Sequence, residues 1–368
     1  MAHGRPRSGS PPRLVVIGGS LVGLSAAITL AGRGAQVTVL ERTRAGGYRG
    51  GGGLGIDPAL LHEVTGLRGT PPVCRGVDRA TTAWGLLADW LEEQARAIPG
   101  IEVSRGSEVV EVGDGWALTR DGVRHEADLV LGADGARSTT RRWVAPEDPE
   151  AVYAGFLLWR AMLDEGDLPP GTEPPPSHEP SREYYSGPYR LVTYPVPGAD
   201  GSPRRGRRRL NMVWYDPART DMLVYAGLLE GSTVHGSLTP EDVPQPLRRE
   251  LRQMADQHWP SPWREALEVA LQRGAVFGTP VAQYRPVRLA RGRVALLGDA
   301  AHATSPMIGG GFERGLYDVA ALAEALERRH EPQDILASYE HERLGPSQAD
   351  VDESIAASTW YLERSNRR

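Results

Sequence analysis

The chain has 368 residues, a length that favours two closely packed domains over a single domain of average size. Hydrophobic residues make up 40% and charged residues 24% of the sequence, which is typical of a globular enzyme and excludes a disordered or fibrous chain. The net charge is -5 and no large basic face is present, so we expect no nucleic-acid partner.

The N-terminal part of the chain predicts a strand, a helix and a second strand. Residues 1–12 are rich in Pro, Arg, Ser and Gly and predict a disordered tail. A short apolar strand is predicted at 14–17, a helix at 21–33 and another strand at 36–40. The glycine-rich segment 45–55 follows, and such segments usually let the backbone approach a ligand closely.

The next segment predicts an amphipathic helix at 81–98, whose apolar face carries Trp84, Leu87, Leu91 and Ala95. Strand-like runs follow it, at 101–104, 108–112, 116–119 and 129–131.

The composition changes between residues 151 and 281. A proline-rich connector occupies 169–180, and strands at 189–197 and 210–215 predict a long hairpin in an antiparallel sheet. The hairpin tip carries a cluster of arginines at 204–209 that we expect to be solvated. Residues 241–271 are helical in pattern, and the last predicted elements are a buried strand at 294–297 and a helix at 316–329.

A glycine-rich turn with the sequence GGSLVG separates the first predicted strand from the first helix. Gly18 permits the tight turn, Gly23 permits close packing of the helix on the sheet, and the helix N-terminus attracts a pyrophosphate. Ser20 replaces the middle glycine, and its hydroxyl can still donate to a phosphate. Glu41 ends the next strand, where its carboxylate can accept hydrogen bonds from an adenosine ribose. The pattern predicts a dinucleotide site without distinguishing FAD from NAD.

Two later motifs favour FAD. Asp134-Gly135 follows a predicted strand, and Asp299 ends another strand, where its carboxylate can bind a polyol hydroxyl. The glycines at 309–311 precede a helix and present free backbone N–H groups at its positive end. The positive end of this helix suits a reduced flavin, whose negative charge lies near N1 and the C2 carbonyl oxygen. His302 follows Asp299 closely, and we expect it to brace the loop rather than to act in catalysis.

Over residues 13–345 these motifs resemble, in order and spacing, the class A flavoprotein monooxygenases of the para-hydroxybenzoate hydroxylase superfamily. Trp84, the Gly-Gly-Ser turn, Trp159-Arg160 and the run 213–215 are similar to the 2,6-dihydroxypyridine hydroxylase-like branch. The resemblance implies an α/β fold in which a GR2-type Rossmann-like FAD-binding domain carries an inserted antiparallel β-sheet substrate domain. The implied boundaries are 13–150 and 284–368 for the FAD-binding domain with its C-terminal helices, and 151–283 for the substrate domain.

The resemblance also implies which residues hold FAD. The ADP half would be held by Gly18, Ser20, Gly23, Glu41 and Arg42. Gly53 and Gly55 would flank the flavin. Asp134 and Gly135 would lie near the pyrophosphate and the approach of NAD(P)H, and Asp299 would bind the ribityl chain. The isoalloxazine would lie against Pro306, Gly309, Gly310, Gly311, Phe312 and Glu313. Glu313 replaces an asparagine common among relatives, and its carboxylate would disfavour the reduced flavin anion unless it is paired or points away.

The reaction that the resemblance implies is hydroxylation of an electron-rich aromatic or heteroaromatic small molecule. NADH or NADPH would reduce FAD, and O2 would then give a C4a-hydroperoxide that transfers one oxygen atom. An epoxidase, or an oxidase or reductase of the same fold acting on a secondary metabolite, remains an alternative. A flavin halogenase is disfavoured because that family depends on a lysine, and all 42 basic residues here are arginine.

No residue stands out as a catalytic base. The candidates are Tyr194, Tyr215 and Tyr225, which we expect on the substrate sheet, and Trp84, which faces either substrate or core. No histidine pair has metal-ligand spacing, so we expect no metal. The single cysteine, at position 74, excludes an internal disulfide and is compatible with the cytoplasmic location that we expect. We also expect no membrane partner, and a monomer or homodimer.

Overall fold

The computed structural model of the protein describes residues 11–44, 52–76, 79–171 and 182–366. Its strands, in chain order, are β1 (Arg13–Ile17), β2 (Gln36–Glu41), β3 (Gly53–Ile56), β4 (Ala80–Ala83), β5 (Ile101–Arg105), β6 (Val109–Gly113), β7 (Trp116–Thr119), β8 (Arg124–Glu126), β9 (Leu129–Gly132), β10 (Val152–Asp164), β11 (Arg182–Ser186), β12 (Tyr189–Val196), β13 (Arg209–Asp216), β14 (Leu229–Glu230), β15 (Thr233–Val234), β16 (Val276–Gln283), β17 (Ala290–Arg291) and β18 (Val294–Leu296). Its α-helices are α1 (Leu21–Ala31), α2 (Pro58–Thr65), α3 (Trp84–Arg96), α4 (Thr139–Val144), α5 (Thr220–Tyr225), α6 (Gln245–His258), α7 (Trp263–Gln272), α8 (Gly311–Arg328) and α9 (Pro332–Asn366).

Three features expected from the sequence fall partly outside the described residues. These are the N-terminal tail, of which only residues 11 and 12 are described, the glycine-rich segment at 45–55 and the proline-rich connector at 169–180.

The first large sheet has six strands in the order β17-β18-β9-β1-β2-β5, and all of its pairings are parallel except that of β17 with β18. Apart from the exposed Arg13 at the start of β1, the strands β1, β9 and β18 are apolar, as strands buried on both faces must be. Helix α1 packs against α3 and α8 and is buried along nearly its whole length. Because α1 is enclosed, its sequence is apolar all round rather than amphipathic.

The second large sheet is antiparallel, in the order β11-β12-β13-β10-β15-β14, and β16 also pairs with β10. One of its faces carries Trp159 and Trp214, which are paired across β10 and β13 and pack in a core with α6 and α7. The opposite face carries the alternate residues of the same strands, so this face is free to line a site. We call it the cavity face; its central row is Val192, Val213, Arg160 and Phe277.

The fold class expected from the sequence is confirmed: a Rossmann-like α/β sheet is combined with an antiparallel sheet. The strands of the first sheet come from residues 13–132 and 290–296, and those of the second from 152–283. The boundaries at 150/151 and 283/284 stay predictions. Within the described ranges no helix is long and apolar enough to cross a membrane.

Three local expectations were wrong. The helix expected at 241–271 is interrupted between α6 and α7, because Pro260 and Pro262 lack the N–H that a continuous helix needs. The helix expected from residue 81 begins at Trp84, since residues 80–83 form β4 and pair with β3. The arginine cluster is not uniformly solvated, because Arg208 is buried in an ion pair with Glu165.

Candidate functional site

A cavity of about 1150 Å³ is lined by both large sheets. The segments that follow the carboxyl ends of four parallel strands, β1, β2, β9 and β18, reach it, and the cavity face of the second sheet lies on its other wall. Ligands of open α/β sheets bind at these carboxyl ends. The volume exceeds the roughly 300–1,000 Å³ of an ordinary small-molecule pocket. A smaller cavity of about 250 Å³ shares Arg160, Asp299 and Pro306 with the large one.

Most of the residues expected to bind a cofactor line this cavity. They are Gly18, Ser20, Glu41, Arg42, Gly53, Gly55, Asp134, Gly135, Asp299, Pro306, Gly309, Gly310, Gly311 and Phe312. Gly23 lies in α1, beneath the lining, and Glu313 is buried in the first turn of α8.

The turn between β1 and α1 requires glycine at two positions. Gly18 has a φ of +103°, and a Cβ there would lie 2.4 Å from the Ala133 carbonyl oxygen. A Cβ on Gly23 would lie 1.9 Å from the Gly18 carbonyl oxygen. Both carboxylate oxygens of Glu41 accept backbone N–H bonds, from Gly19 at 2.8 Å and Thr43 at 2.7 Å. The turn therefore holds Glu41 in place beside the open N-terminus of α1.

The replacement Gly23→Ala is expected to destabilise the protein by about 1–3 kcal/mol and to lower its flavin content, because the new methyl group displaces the Gly18 turn. Thermal unfolding and the flavin absorbance of the purified variant measure both effects. The matched control is Gly85→Ala in α3, where no atom lies within 4 Å of the new Cβ and stability is expected to rise by about 0.4–1 kcal/mol. Equal stability of the two variants would contradict this role of Gly23.

The carboxylate of Asp134 organises the loop that follows β9. It accepts hydrogen bonds from the Ser138 hydroxyl at 2.6 Å and from the backbone N–H and hydroxyl of Thr140 at 3.0 and 3.1 Å. Gly135 has a left-handed φ of +80°, which a side chain would strain. This turn brings residues 133–135 to the cavity wall.

Asp299 presents its carboxylate to the cavity at the end of β18. The residue is exposed to the cavity, yet the protein packed around it desolvates the carboxyl and raises its pKa above the usual 3.8. The positive charges of His302, Arg141 and Arg314 oppose that rise in pKa. An acceptor in this position suits a hydroxyl-bearing ligand.

A buried ionic cluster supports the Asp299 loop from behind. Asp318 of α8 accepts hydrogen bonds from the Gly298 N–H at 2.9 Å and from Arg343 Nε at 2.8 Å, and it lies 2.6 Å from His302 Nε2. The expectation that His302 braces the loop is confirmed. Burial by itself lowers the pKa of His302, but the charge of Asp318 outweighs it and raises that pKa above 6.5. Burial raises the pKa of Asp318, but His302 and Arg343 hold it below its usual 3.8.

The N-terminus of α8 also opens into the cavity. Gly309 and Gly310 have left-handed φ values of +61° and +70°, and no side chain caps the first turn. Its backbone N–H groups are therefore available to an anion or a carbonyl oxygen. Glu313 does not line the cavity, and its carboxylate is paired with the guanidinium of Arg79.

Of the aromatic residues considered for catalysis, Tyr194, Tyr215 and Trp84 line the cavity. The placement of Tyr225 was wrong: it ends α5, off the sheet, and its side chain is 95% exposed. Burial raises the pKa of both Tyr194 and Tyr215 above the usual value of 10, although the charge of Arg160 opposes the rise. Both phenols are therefore protonated near neutral pH and can donate hydrogen bonds.

Four arginines of the cavity wall, Arg79, Arg137, Arg160 and Arg190, were not predicted as site residues. Arg190 is paired with Glu183 and lies 4.7 Å from the ring centroid of Tyr215. The guanidinium of Arg160 has neither a carboxylate partner nor a hydrogen bond among the described residues. The sequence feature that could have revealed Arg160 is its position as a single charged residue within the apolar stretch of β10.

The described residues support neither a metal site nor a reactive thiol. No cluster of His, Cys, Asp or Glu there could hold a metal ion. Burial raises the pKa of the Cys74 thiol to about 11, so this thiol is protonated at neutral pH.

Three protein-family models match the chain. The model described as FAD binding domain-like matches residues 153–272, and the one described as FAD binding domain matches 241–354. The model for pyridine nucleotide-disulphide oxidoreductase matches residues 13–46, which contain the glycine-rich turn and Glu41.

Curated relatives match nearly the whole chain. The 2,6-dihydroxypyridine 3-monooxygenase of Paenarthrobacter nicotinovorans is 27% identical, over 90% of this chain and 87% of its own. The 3-amino-4-hydroxybenzoate 2-monooxygenase of Streptomyces cremeus is 30% identical, over 92% of this chain and 84% of its own. The chain belongs to the class A FAD-dependent aromatic monooxygenases.

Solved structures share the fold of this monooxygenase. The 2,6-dihydroxypyridine-3-hydroxylase from Arthrobacter nicotinovorans superposes with a TM-score of 0.78 at 21% identity, covering 96% of this chain and 94% of the other. The Klebsiella pneumoniae HpxO protein complexed with FAD and uric acid superposes with a TM-score of 0.66 at 20% identity, covering 96% and 93%.

The cavity of the monooxygenase fits FAD, which is its cofactor. Two uncapped helix N-termini open into the cavity, from α1 and α8, and the carboxylates of Glu41 and Asp299 present acceptors for hydroxyl groups. These features match the phosphates, the polyol hydroxyls and the carbonyl-bearing ring of the cofactor.

Proposed function

We propose that this monooxygenase uses NADH or NADPH and O2 to hydroxylate a small electron-rich aromatic or heteroaromatic compound. The observation that carries the proposal is the cavity face of the antiparallel sheet, which opens into the same cavity as the dinucleotide turn. A cofactor held by that turn and a substrate held by that face would meet inside one cavity. Bound FAD supplies the redox chemistry that activates O2.

We assign the cofactor contacts to the residues that line the cavity. The turn Gly18–Ser20, with Glu41 and Arg42, binds the ADP half; Gly23 lets α1 approach closely enough for its N-terminus to face the phosphates. Asp134-Gly135 shapes the wall near the pyrophosphate, and Asp299 binds the ribityl chain. The flavin ring would be held by two glycine-rich walls of the cavity, one that contains Gly53 and Gly55 and one formed by Pro306, Gly309, Gly310, Gly311 and Phe312.

The cavity face suits a flat ring that bears an acidic group. Val192, Val213 and Phe277 supply apolar contacts in the same row as Arg160, so the guanidinium has apolar neighbours on both sides. An arginine among apolar neighbours binds a carboxylate or an ionised hydroxyl strongly. We therefore propose that Arg160 anchors the acidic group of the substrate.

Tyr194, on the same face, can orient a substrate oxygen atom, and Asn211 supports the wall beside it. The protonated Tyr194 Oη lines the cavity and can donate to a substrate oxygen, whereas Asn211 is fully buried behind the lining and acts through its neighbours. The amide oxygen of Asn211 already accepts the Gly53 N–H at 2.8 Å, which fixes the direction of the amide group. Asn211 therefore fixes the Gly53 wall, and the Tyr194 hydroxyl can orient the ring without a change of protonation state.

A nicotinamide nucleotide is the proposed electron donor. The match of residues 13–46 to the pyridine nucleotide-disulphide oxidoreductase model supports this choice. Two further cations, Arg42 and Arg137, line the cavity, and burial together with the charge of Arg42 lowers the pKa of Arg137. Concentrated positive charge at this wall favours the approach of an anionic nucleotide.

The proposal is tested by anaerobic reduction of the FAD-loaded protein with NADH or NADPH. The flavin absorbance is followed alone and with benzoates, phenols and hydroxypyridines. We expect one compound class that bears an acidic group to accelerate bleaching. Flavin bands that neither nucleotide bleaches, with or without any compound, would contradict the proposal.

A further inference from the structure

An ion pair connects the two glycine-rich walls of the cavity. Arg79 precedes β4, and its guanidinium pairs with Glu313 in the first turn of α8. The Arg79 side chain passes 3.7 Å from the position that a Cβ on Gly55 would occupy and 3.4 Å from the corresponding position on Gly309. The pair therefore spans the space between β3 and the loop before α8.

Glu313 needs this partner because its carboxylate is buried. The residue is 6% exposed, and its second oxygen, Oε2, has no hydrogen-bond partner. An unpaired buried carboxylate is unfavourable, and it also opposes any negative charge nearby. The neighbouring Arg314 is held elsewhere, by the Gly309 carbonyl and by Asp350, which leaves the charge of Glu313 to Arg79.

The consequence concerns the charge felt by a bound flavin. The N-terminus of α8 attracts the negative charge of a reduced flavin, whereas a carboxylate in the same turn repels it. We propose that Arg79 and Glu313 are a positioning pair whose mutual neutralisation leaves the N-terminus of α8 free to stabilise reduced FAD. This inference rests on the proposed placement of the flavin against the two glycine-rich walls.

The test is the midpoint potential of the FAD-loaded protein, measured by dye equilibration without substrate. The variant Arg79→Gln leaves the carboxylate unpaired, so its potential is expected to fall and reduced FAD to bind about tenfold more weakly relative to oxidised FAD. Glu313→Gln leaves the guanidinium unpaired, so the potential is expected to rise by a comparable amount. In the double variant the potential is expected to return close to that of the parent protein.

Two controls separate charge from structure. The conservative variant Arg79→Lys keeps the charge and is expected to keep the parent potential. The variant Arg328→Gln removes a cation from the far end of α8, where its partner Glu324 is also at the surface, and it is expected to shift nothing. FAD retention and the thermal unfolding midpoint of every variant are recorded alongside the potential.

The outcomes distinguish this inference from the proposed function. Potentials that move in opposite directions in the two single variants, with recovery in the double variant, support the pair. Unchanged potentials, or shifts in the same direction, would overturn the pair while leaving the monooxygenase assignment intact. A parent protein that is reduced by neither nicotinamide nucleotide would overturn the proposed electron donor without affecting the dye measurement.

Discussion

Replacing Asp318 with asparagine is expected to lower the free energy of unfolding by about 3–5 kcal/mol. The substitution keeps the size of the side chain but removes the negative charge that His302 and Arg343 share. Asp318 and His302 are at most 1% exposed and Arg343 is 8% exposed, so water cannot replace the lost partner. The cluster joins α8, α9 and the loop that carries Asp299, and the loss is therefore expected to reduce FAD retention as well.

Urea unfolding followed by circular dichroism measures this change. The matched control is Asp352→Asn, whose partner Arg285 lies at the surface and whose loss is expected to change the stability by no more than about 1 kcal/mol. A loss in Asp318→Asn as small as in the control would contradict the role assigned to the buried cluster.

The same cluster predicts a pH dependence. The pKa of His302 in the folded protein lies above 6.5, so folding favours its charged form. The resulting stabilisation is complete below the unfolded pKa and is lost as the pH rises through the folded pKa. The stability difference between the parent protein and His302→Gln is therefore expected to shrink as the pH rises from below 6.5 through the folded pKa of His302. A difference that grows over this range would show that His302 is neutral when folded.

The variant Arg160→Gln is expected to lower kcat/KM for an acidic aromatic substrate by about a hundredfold or more, because a guanidinium with apolar neighbours binds an anion strongly. The neighbours of Arg160 in its row are Val213 and Phe277, and neither can replace the lost charge. The flavin spectrum is expected to remain that of the parent, since the residue is not assigned to the cofactor.

Two controls test the role of Arg160: a second protein variant and an uncharged substrate analogue. Arg160→Lys is expected to recover part of the loss, because it retains the charge but not the planar fork of donors. A neutral amide analogue of the best substrate is expected to react equally slowly with the parent protein and with Arg160→Gln. If Arg160→Gln lowers kcat/KM by the same factor for the acid and for the amide, Arg160 does not bind the acidic group.

Sequence reasoning found the site residues whose identity depends on the local backbone geometry. A left-handed turn at Gly18 and close packing at Gly23 require glycine, and those requirements leave a readable pattern. Asp299 and the glycines that precede α8 also lie within one short segment. The cofactor and the fold class could therefore be predicted from the sequence.

The features of the site that were missed depend on contacts between distant segments. Arg79 and Glu313 are 234 positions apart, so no local pattern indicates that they pair. Arg160 reaches the cavity face only because β10 pairs with β13 and β16 in one particular register, and a shift by one residue would turn it into the opposite core. Tyr225 was misplaced because the short helix α5 gives no periodicity that distinguishes it from a strand.

The measurement that most directly tests the central claim is the origin of the oxygen atom in the product. The FAD-loaded protein is supplied with a nicotinamide nucleotide, ¹⁸O₂ and the aromatic compound that most accelerates flavin reduction, and the product is analysed by mass spectrometry. We expect one ¹⁸O atom on the ring of the product. Consumption of O2 with release of hydrogen peroxide and no labelled product would contradict the central claim and identify the protein as an oxidase.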